Sequence, residues 1–159
     1  MKIVYKVLAY IVAALVVVQA VAMVFAVAGL GIWVEEGGVL DKSVMESEQT
    51  PFPEIVGFMI HGMNGTMVIP IVALLLLISS FFTKFPRAAL WAGLVVLLVA
   101  VQIALGIFGH VFSALGALHG LNAFLLLGAA TYAAIRMRST PKVDERPAPT
   151  PVAVPQDHG

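Results

Sequence analysis

The sequence contains no cysteine. Disulfide frameworks, Cys-x-x-Cys redox motifs, thiolate zinc sites, iron–sulfur clusters and cysteine nucleophiles are all excluded with it. Charge is nearly as scarce: only 11% of residues are Asp, Glu, Lys or Arg, whereas soluble domains carry roughly a quarter. The nine basic and nine acidic side chains cancel to a net charge of zero. With no basic excess to neutralise phosphates, nucleic acid is not an expected partner.

What fills the chain instead is apolar: 60% of the residues are hydrophobic, and the mean hydropathy is +1.00. Three uncharged runs stand out, Val7 to Val34, Ile55 to Thr83 and Ala88 to Ile135. A helix needs about 20 apolar residues to cross a hydrocarbon core roughly 30 Å thick, so the first two runs predict one span each. The third, at 48 residues, is too long for one span and carries Gly109, Ser113, Gly116 and Gly120 near its middle. It predicts a tight helical hairpin. No alternating strand pattern is present, and an open sheet cannot survive in lipid with its backbone groups unsatisfied. The expected fold is therefore all-α, an integral membrane four-helix bundle over residues 1–138, with spans at about 7–33, 55–82, 88–110 and 117–135 and an outer loop at 34–54.

Lys2 and Lys6 followed by an apolar run, with Ala26-Val27-Ala28 beyond it, resemble a signal peptide. The run is much longer than the 7 to 15 residues of a signal h-region, so it is read as a span. The basic residues set the orientation. Lys2 and Lys6, then Lys84 and Arg87, then Arg136, Arg138, Lys142 and Arg146 lie at one side, whereas the 34–54 loop holds six acids and one base. Both termini are thus expected to be cytoplasmic and the acidic loop outside. The zero net charge resolves into +2 at the N-terminus, −5 in the outer loop, +2 between the second and third spans, and +1 at the C-terminal end. From Ser139 to Gly159 five prolines and little apolar content predict a disordered cytoplasmic tail, with His158 solvated in it.

The two halves of the bundle repeat one another. Val18-Gln19-Ala20 in the first span answers Val101-Gln102-Ile103 in the third, and His61-Gly62-Met63-Asn64-Gly65 in the second answers His119-Gly120-Leu121-Asn122-Ala123 in the fourth. Polar residues are rare in membrane spans, so their matched order predicts two helical hairpins related by a pseudo-two-fold axis along the membrane normal. His61 and His119 then occupy equivalent places near the outer ends of diagonally opposed helices. Asn64 and Gly65 lie within about 60° and 40° of His61 on its helix, and Asn122 and Ala123 repeat this beside His119. Gly65 and Ala123 leave room for a flat group, and Gln102, Gly106 and Gly109 form a second small-residue stripe.

This constellation predicts a haem b held by His61 and His119 as axial metal ligands, with Asn64, Gly65, Gln102, Gly106, His110, Asn122 and Ala123 around it. Asn64 and Asn122 are expected to hold an imidazole, a propionate or a neighbouring carbonyl. The plainer alternative is that Asn, Gln and His are interhelical glue, worth about 0.6 to 2 kcal/mol each; glue explains polarity but not matched position on diagonal helices. His110 has no counterpart in the first hairpin, where Val27 stands. It reads either as an interfacial residue beside a turn or as a partner for a haem propionate, and it replaces His119 as ligand if the hairpin boundary shifts by a turn. Met59, Met63 and Met67 form a stripe of soft ligands that points away from His61, which fits packing or lipid contact better than copper. Pro70 predicts a kink in the second span. The spans hold no carboxylate for a proton relay, and the chain has neither a Ser/His/Asp set nor a Gly-rich phosphate loop.

With its paired histidines on the second and fourth helices, the chain resembles one four-helix half of haem A synthase. It is also similar to small uncharacterised four-helix bacterial membrane proteins that share Leu-His-x-x-Asn-Ala at the start of the fourth helix, here Leu118-His119-Gly120-Leu121-Asn122-Ala123. The resemblance spans roughly residues 7 to 135 and implies the fold, the paired ligands and a bacterial plasma membrane. Haem A synthase has Glu and Arg flanking its second-helix histidine, where this chain has Ile60 and Gly62, so its oxidative chemistry is not implied. The expected function is a cytochrome b-type electron carrier working with a quinol or a respiratory membrane complex. The alternative is a non-catalytic accessory or assembly subunit of such a complex, as a homo- or hetero-oligomer; neither is a stand-alone enzyme.

Overall fold

A computed structural model describes residues 1–47 and 50–137. The proline-rich tail from Ser139 and Glu48 of the acidic loop lie outside the described residues. Helix α1 runs over Lys2–Glu35, the short α2 over Lys42–Glu46, α3 over Pro53–Ser80, α4 over Ala88–Phe108 and α5 over Ser113–Arg136. Among the described residues there is no strand. Helices α1, α3, α4 and α5 are each long and apolar enough to cross a membrane, which gives a multi-pass, all-helical chain.

Local chemistry sets the helix ends. α1 stops in a Schellman turn: Gly37 takes a positive φ of 98°, its N–H reaches the Val34 carbonyl, and the Gly38 N–H reaches that of Trp33. Only glycine adopts that backbone without strain. Beyond it, the Asp41 carboxylate caps α2 by accepting from the Val44 N–H at 3.0 Å and the Ser43 hydroxyl at 2.6 Å. These bonds hold its pKa below the usual carboxylate value. The turn between α4 and α5 comes earlier than the glycine pattern predicts. α4 ends at Phe108 and α5 begins at Ser113, which places Gly116 inside the helix. A Cβ added at Gly109 would sit 3.1 Å from the Gly116 Cα, so this pair of glycines brings the hairpin arms together and does not make the turn itself.

The four long helices form a ring in which α1 packs on α3, α3 on α4, α4 on α5 and α5 on α1. α3 and α5 are therefore diagonal, as are α1 and α4. Packing is tightest in the half that holds the start of α1 and the end of α5. There Tyr5, Ala9, Val12 and Val16 of α1 and Ala88, Ala92, Val95 and Val99 of α4 are all buried, each residue of the second set standing 83 positions after its counterpart in the first. Ala73 and Leu76 of α3 and Ala129, Ala130, Ala133 and Ala134 of α5 complete this core. Lipid tails are as apolar as these side chains, so burial from lipid drives little; alanines stabilise the bundle by letting backbones approach and make dispersion contacts. The Tyr5 hydroxyl satisfies itself on the Ala88 carbonyl at 3.1 Å. Large apolar side chains cover the outside, with Val24 68%, Leu90 64% and Phe124 74% exposed, a surface suited to hydrocarbon rather than water.

In the other half the ring opens. Of the segments of α3, only Ile69–Ser80 packs on α4. Over Asn64–Val68 the hydrogen-bond ladder slips into a π-turn, and the Ile69 N–H bonds the Asn64 carbonyl five residues back. The slip comes directly before Pro70, which has no N–H to give. The distortion foreseen at the proline thus takes the form of one extra residue in the preceding turn.

Overpacking the alanine core is expected to unfold it. Ala92→Leu and Ala130→Leu, at positions with no exposure, should each cost about 1–3 kcal/mol in a denaturant titration of the detergent-solubilised protein. Gly93→Ala, where a Cβ meets nothing within 4 Å, should cost nothing.

Candidate functional site

α1 and α3 are tied together by side chains that would otherwise be unsatisfied in hydrocarbon. The Asn64 amide donates to the Leu15 carbonyl at 3.2 Å and to the Gln19 Oε1 at 3.2 Å. His61 Nδ1 meets the Gln19 carbonyl at 3.2 Å. α4 and α5 carry the same bonds: Asn122 to the Leu98 carbonyl at 2.9 Å, Asn122 to the Gln102 Oε1 at 2.6 Å, and His119 Nδ1 to the Gln102 carbonyl at 2.9 Å. One further bond in the second hairpin runs from the Gln102 amide to the His119 carbonyl at 3.0 Å. The asparagines thus hold glutamines and leucine carbonyls rather than imidazoles. The imidazoles are held by the backbone of the two glutamine positions.

A carbonyl oxygen can only accept, so each histidine must place its proton on Nδ1. Nε2 is left with its lone pair, and neither Nε2 has a hydrogen-bond partner among the described residues. The two rings face one another across the diagonal with centroids 6.0 Å apart and planes inclined by 52°. Metal–imidazole bonds are about 2.0–2.1 Å long, so two imidazoles sharing one metal stand with their centres roughly 6 Å apart.

Empty space surrounds the pair on two sides. A cavity of about 490 Å³ lies between α1 and α5, walled by Val17, Val21, Val24, Ala123, Phe124 and Leu127. A second, of about 440 Å³, lies between α3 and α4, walled by Gly62, Gly65, Thr66, Gly106, Gly109 and His110. Gln19, Met23, His61, Gly65, Gln102 and His119 line both. The two cavities sit at the two seams between the hairpins, so together they outline a flat slot with one histidine on each face. Gly106 makes room for the imidazole on its own hairpin: a Cβ there would lie 3.1 Å from the His119 Cε1.

The slot has a floor. Val16, Ile69, Val99 and Leu126, one from each helix, line the larger cavity and are all buried. Leu126 stands seven residues beyond His119, two helical turns, whereas Ile69 stands eight beyond His61. The π-turn at Asn64–Val68 takes up that extra residue and lets both histidines stand over the same floor.

Every predicted site residue falls in or against this slot. His61, Gly65, Gln102, His119 and Ala123 line the larger cavity. Gly106 and His110 line the smaller one, and Asn64 and Asn122 lie buried behind the histidines. His110 is in the turn after α4 and lines the smaller cavity, while the ring set 6.0 Å from that of His61 is His119. Met59, Met63 and Met67 are 59%, 60% and 58% exposed and face away from the site. Gln19, Met23, Phe124 and the four floor residues were not singled out by pattern. Gln19 was within reach of it, as the partner of Gln102 in the repeat; the floor is indistinguishable from any other apolar residue until the helices are packed. No family model, curated protein or solved structure matches this chain.

Gln19→Leu and Gln102→Leu should each destabilise the bundle by about 1–2 kcal/mol by stranding an asparagine amide. The two sets share no partner, so in thermal or denaturant unfolding the double variant should equal the sum to within about 0.5 kcal/mol.

Proposed function

We propose that the chain is a haem b-binding membrane protein of the cytochrome b type, with His61 and His119 as its two axial ligands. The observation that carries this reading is the pair of facing imidazoles, each with Nδ1–H committed to a backbone carbonyl and Nε2 open. Interhelical glue explains Gln19, Asn64, Gln102 and Asn122, whose bonds close within each hairpin; it gives the two Nε2 atoms nothing to do. Among the described residues no cluster of three or more His, Cys, Asp or Glu is placed to hold an ion. Two imidazoles are fewer donors than a bare zinc ion takes. A porphyrin brings four nitrogens of its own and needs only the axial pair. The slot between the hairpins and the floor beneath it suit such a ring, while Gly65 and Gly106 make room for the Gln19 amide and the His119 imidazole.

When bound, haem supplies reversible one-electron chemistry. The chain's own part is to hold and tune it. The Nδ1–H bonds to the Gln19 and Gln102 carbonyls orient both rings and raise the basicity of Nε2, as outer-shell partners of metal-bound histidines do. Held by both His61 and His119, the group would supply electron transfer rather than oxygen chemistry. The apolar floor keeps water out of the inner half, and the larger cavity opens onto lipid, where a quinol or a neighbouring redox subunit is the fitting electron partner.

The arrangement is best described as two hairpins related by a pseudo-two-fold axis. The constant 83-residue offset between buried positions of α1 and α4 and the matching hydrogen bonds support it. Lys2, Lys6, Lys84, Arg87 and Arg136 share one end of the bundle, so the positive-inside rule puts both chain ends in the cytoplasm and the site near the opposite face. Such a chain fits a bacterial plasma membrane, and its resemblance to one half of haem A synthase agrees with the ligand set.

Protein purified from haem-replete cells should show the split absorption bands of low-spin haem on dithionite reduction; a folded, colourless preparation contradicts the proposal. His61→Ala and His119→Ala should each abolish those bands, and Met63→Ala should leave them intact. The absence of native cysteine allows topology to be read directly: in intact cells a membrane-impermeant maleimide should label Ser43→Cys and spare Lys84→Cys.

A further inference from the structure

The two sides of the slot differ in a way that the paired histidines do not require. The α1–α5 side presents only apolar groups beyond the shared polar set, and its rim is exposed to lipid, with Val21 62% and Phe124 74% exposed. The α3–α4 side runs up to the turn at 109–112, where His110 lines the cavity and is itself exposed. Thr66, the other polar residue added on that side, spends its hydroxyl on the Gly62 carbonyl at 2.7 Å. The Gln102 amide is likewise spent on the His119 carbonyl. The Gln19 amide donates no hydrogen bond among the described residues but lines both clefts, so His110 is the donor that belongs to this cleft alone and stands at its exposed end, with Gly106, Gly109 and Gly116 beside it.

An amphipathic disc fits such a slot one way round. We infer, building on the haem reading above, that the site selects a planar macrocycle with an acidic edge and fixes its orientation: the carboxylate edge lies in the α3–α4 cleft at His110, and the apolar edge lies in the α1–α5 cleft against Val21, Phe124 and Leu127. His110 is a positioning residue and not an iron ligand. A carboxylate in the lipid-facing cleft would be desolvated with only the Gln19 amide, common to both clefts, near it, whereas in the α3–α4 cleft it also meets the His110 imidazole and the water surface.

The test compares haemin with haemin dimethyl ester, in which both carboxylates are blocked, by absorbance titration of the full-length apoprotein in detergent. The wild type should bind haemin roughly ten- to a hundredfold more tightly than the ester, the range of a hydrogen bond to a charged group. His110→Ala should bring haemin down to the affinity of the ester and leave the ester unchanged, and His110→Lys should restore the preference. Both ligands should give the same low-spin spectrum in all three proteins. Equal affinity for acid and ester in the wild type overturns the inference, as does an equal loss for both in His110→Ala. A wild type that gives no low-spin spectrum with either ligand overturns the haem reading and the inference with it; one that binds both ligands alike overturns the inference alone.

Discussion

In a hydrocarbon surrounding, a polar side chain must find its partner within the protein, because neither water nor lipid supplies one. Everything at the centre of this molecule follows from how Gln19, His61 and Asn64, and their counterparts Gln102, His119 and Asn122, meet that demand. Each set closes upon itself inside one hairpin, glutamine to asparagine and histidine to the glutamine's own carbonyl. No bond runs to the other hairpin, and the Asn64 Oδ1 stays buried without a partner. The seam between the hairpins is consequently free to open, and the two histidines face across it with their remaining nitrogens uncommitted.

The rest of the fold holds that opening at a fixed width. Alanines at Ala9, Ala73, Ala92 and Ala130, one from each long helix, bring the four helices close in the half with the start of α1 and the end of α5, and a layer of Val16, Ile69, Val99 and Leu126 seals it. Above the layer, glycines replace alanines and the bundle parts. The tightly packed lower half, with the slot above it, fixes the 6.0 Å separation of the two imidazoles. The π-turn belongs to the same design. α3 carries one residue more than α5 between histidine and floor, and without the slip its lower half would present the wrong face to the core.

The acidic loop and the alanine-rich end play a different part. Trp33 packs on Phe52 with ring centroids 5.6 Å apart, pinning the loop where it leaves α1 and enters α3. Among the described residues Lys2, Lys6, Lys84, Arg87 and Arg136 lie at one end of the bundle, and Glu35, Glu36, Asp41, Glu46 and Glu54, with Lys42, lie at the other.

Four helices, their approximate limits and the pairing of His61 with His119 were legible in the sequence because they rest on one-dimensional quantities: the length of uncharged runs, and a polar pattern that recurs in order. The hairpin turn was misplaced by a few residues, because Gly116 signals a close contact and a turn equally well. What the sequence by itself determined is which residues are polar in a setting that makes polarity expensive. Only the tertiary structure decided which nitrogen of each histidine is spent, since that depends on a backbone carbonyl one helix away. It alone placed the cavities at the seams and set the polarity of their two mouths, because a floor built from one side chain per helix exists only when all four have packed.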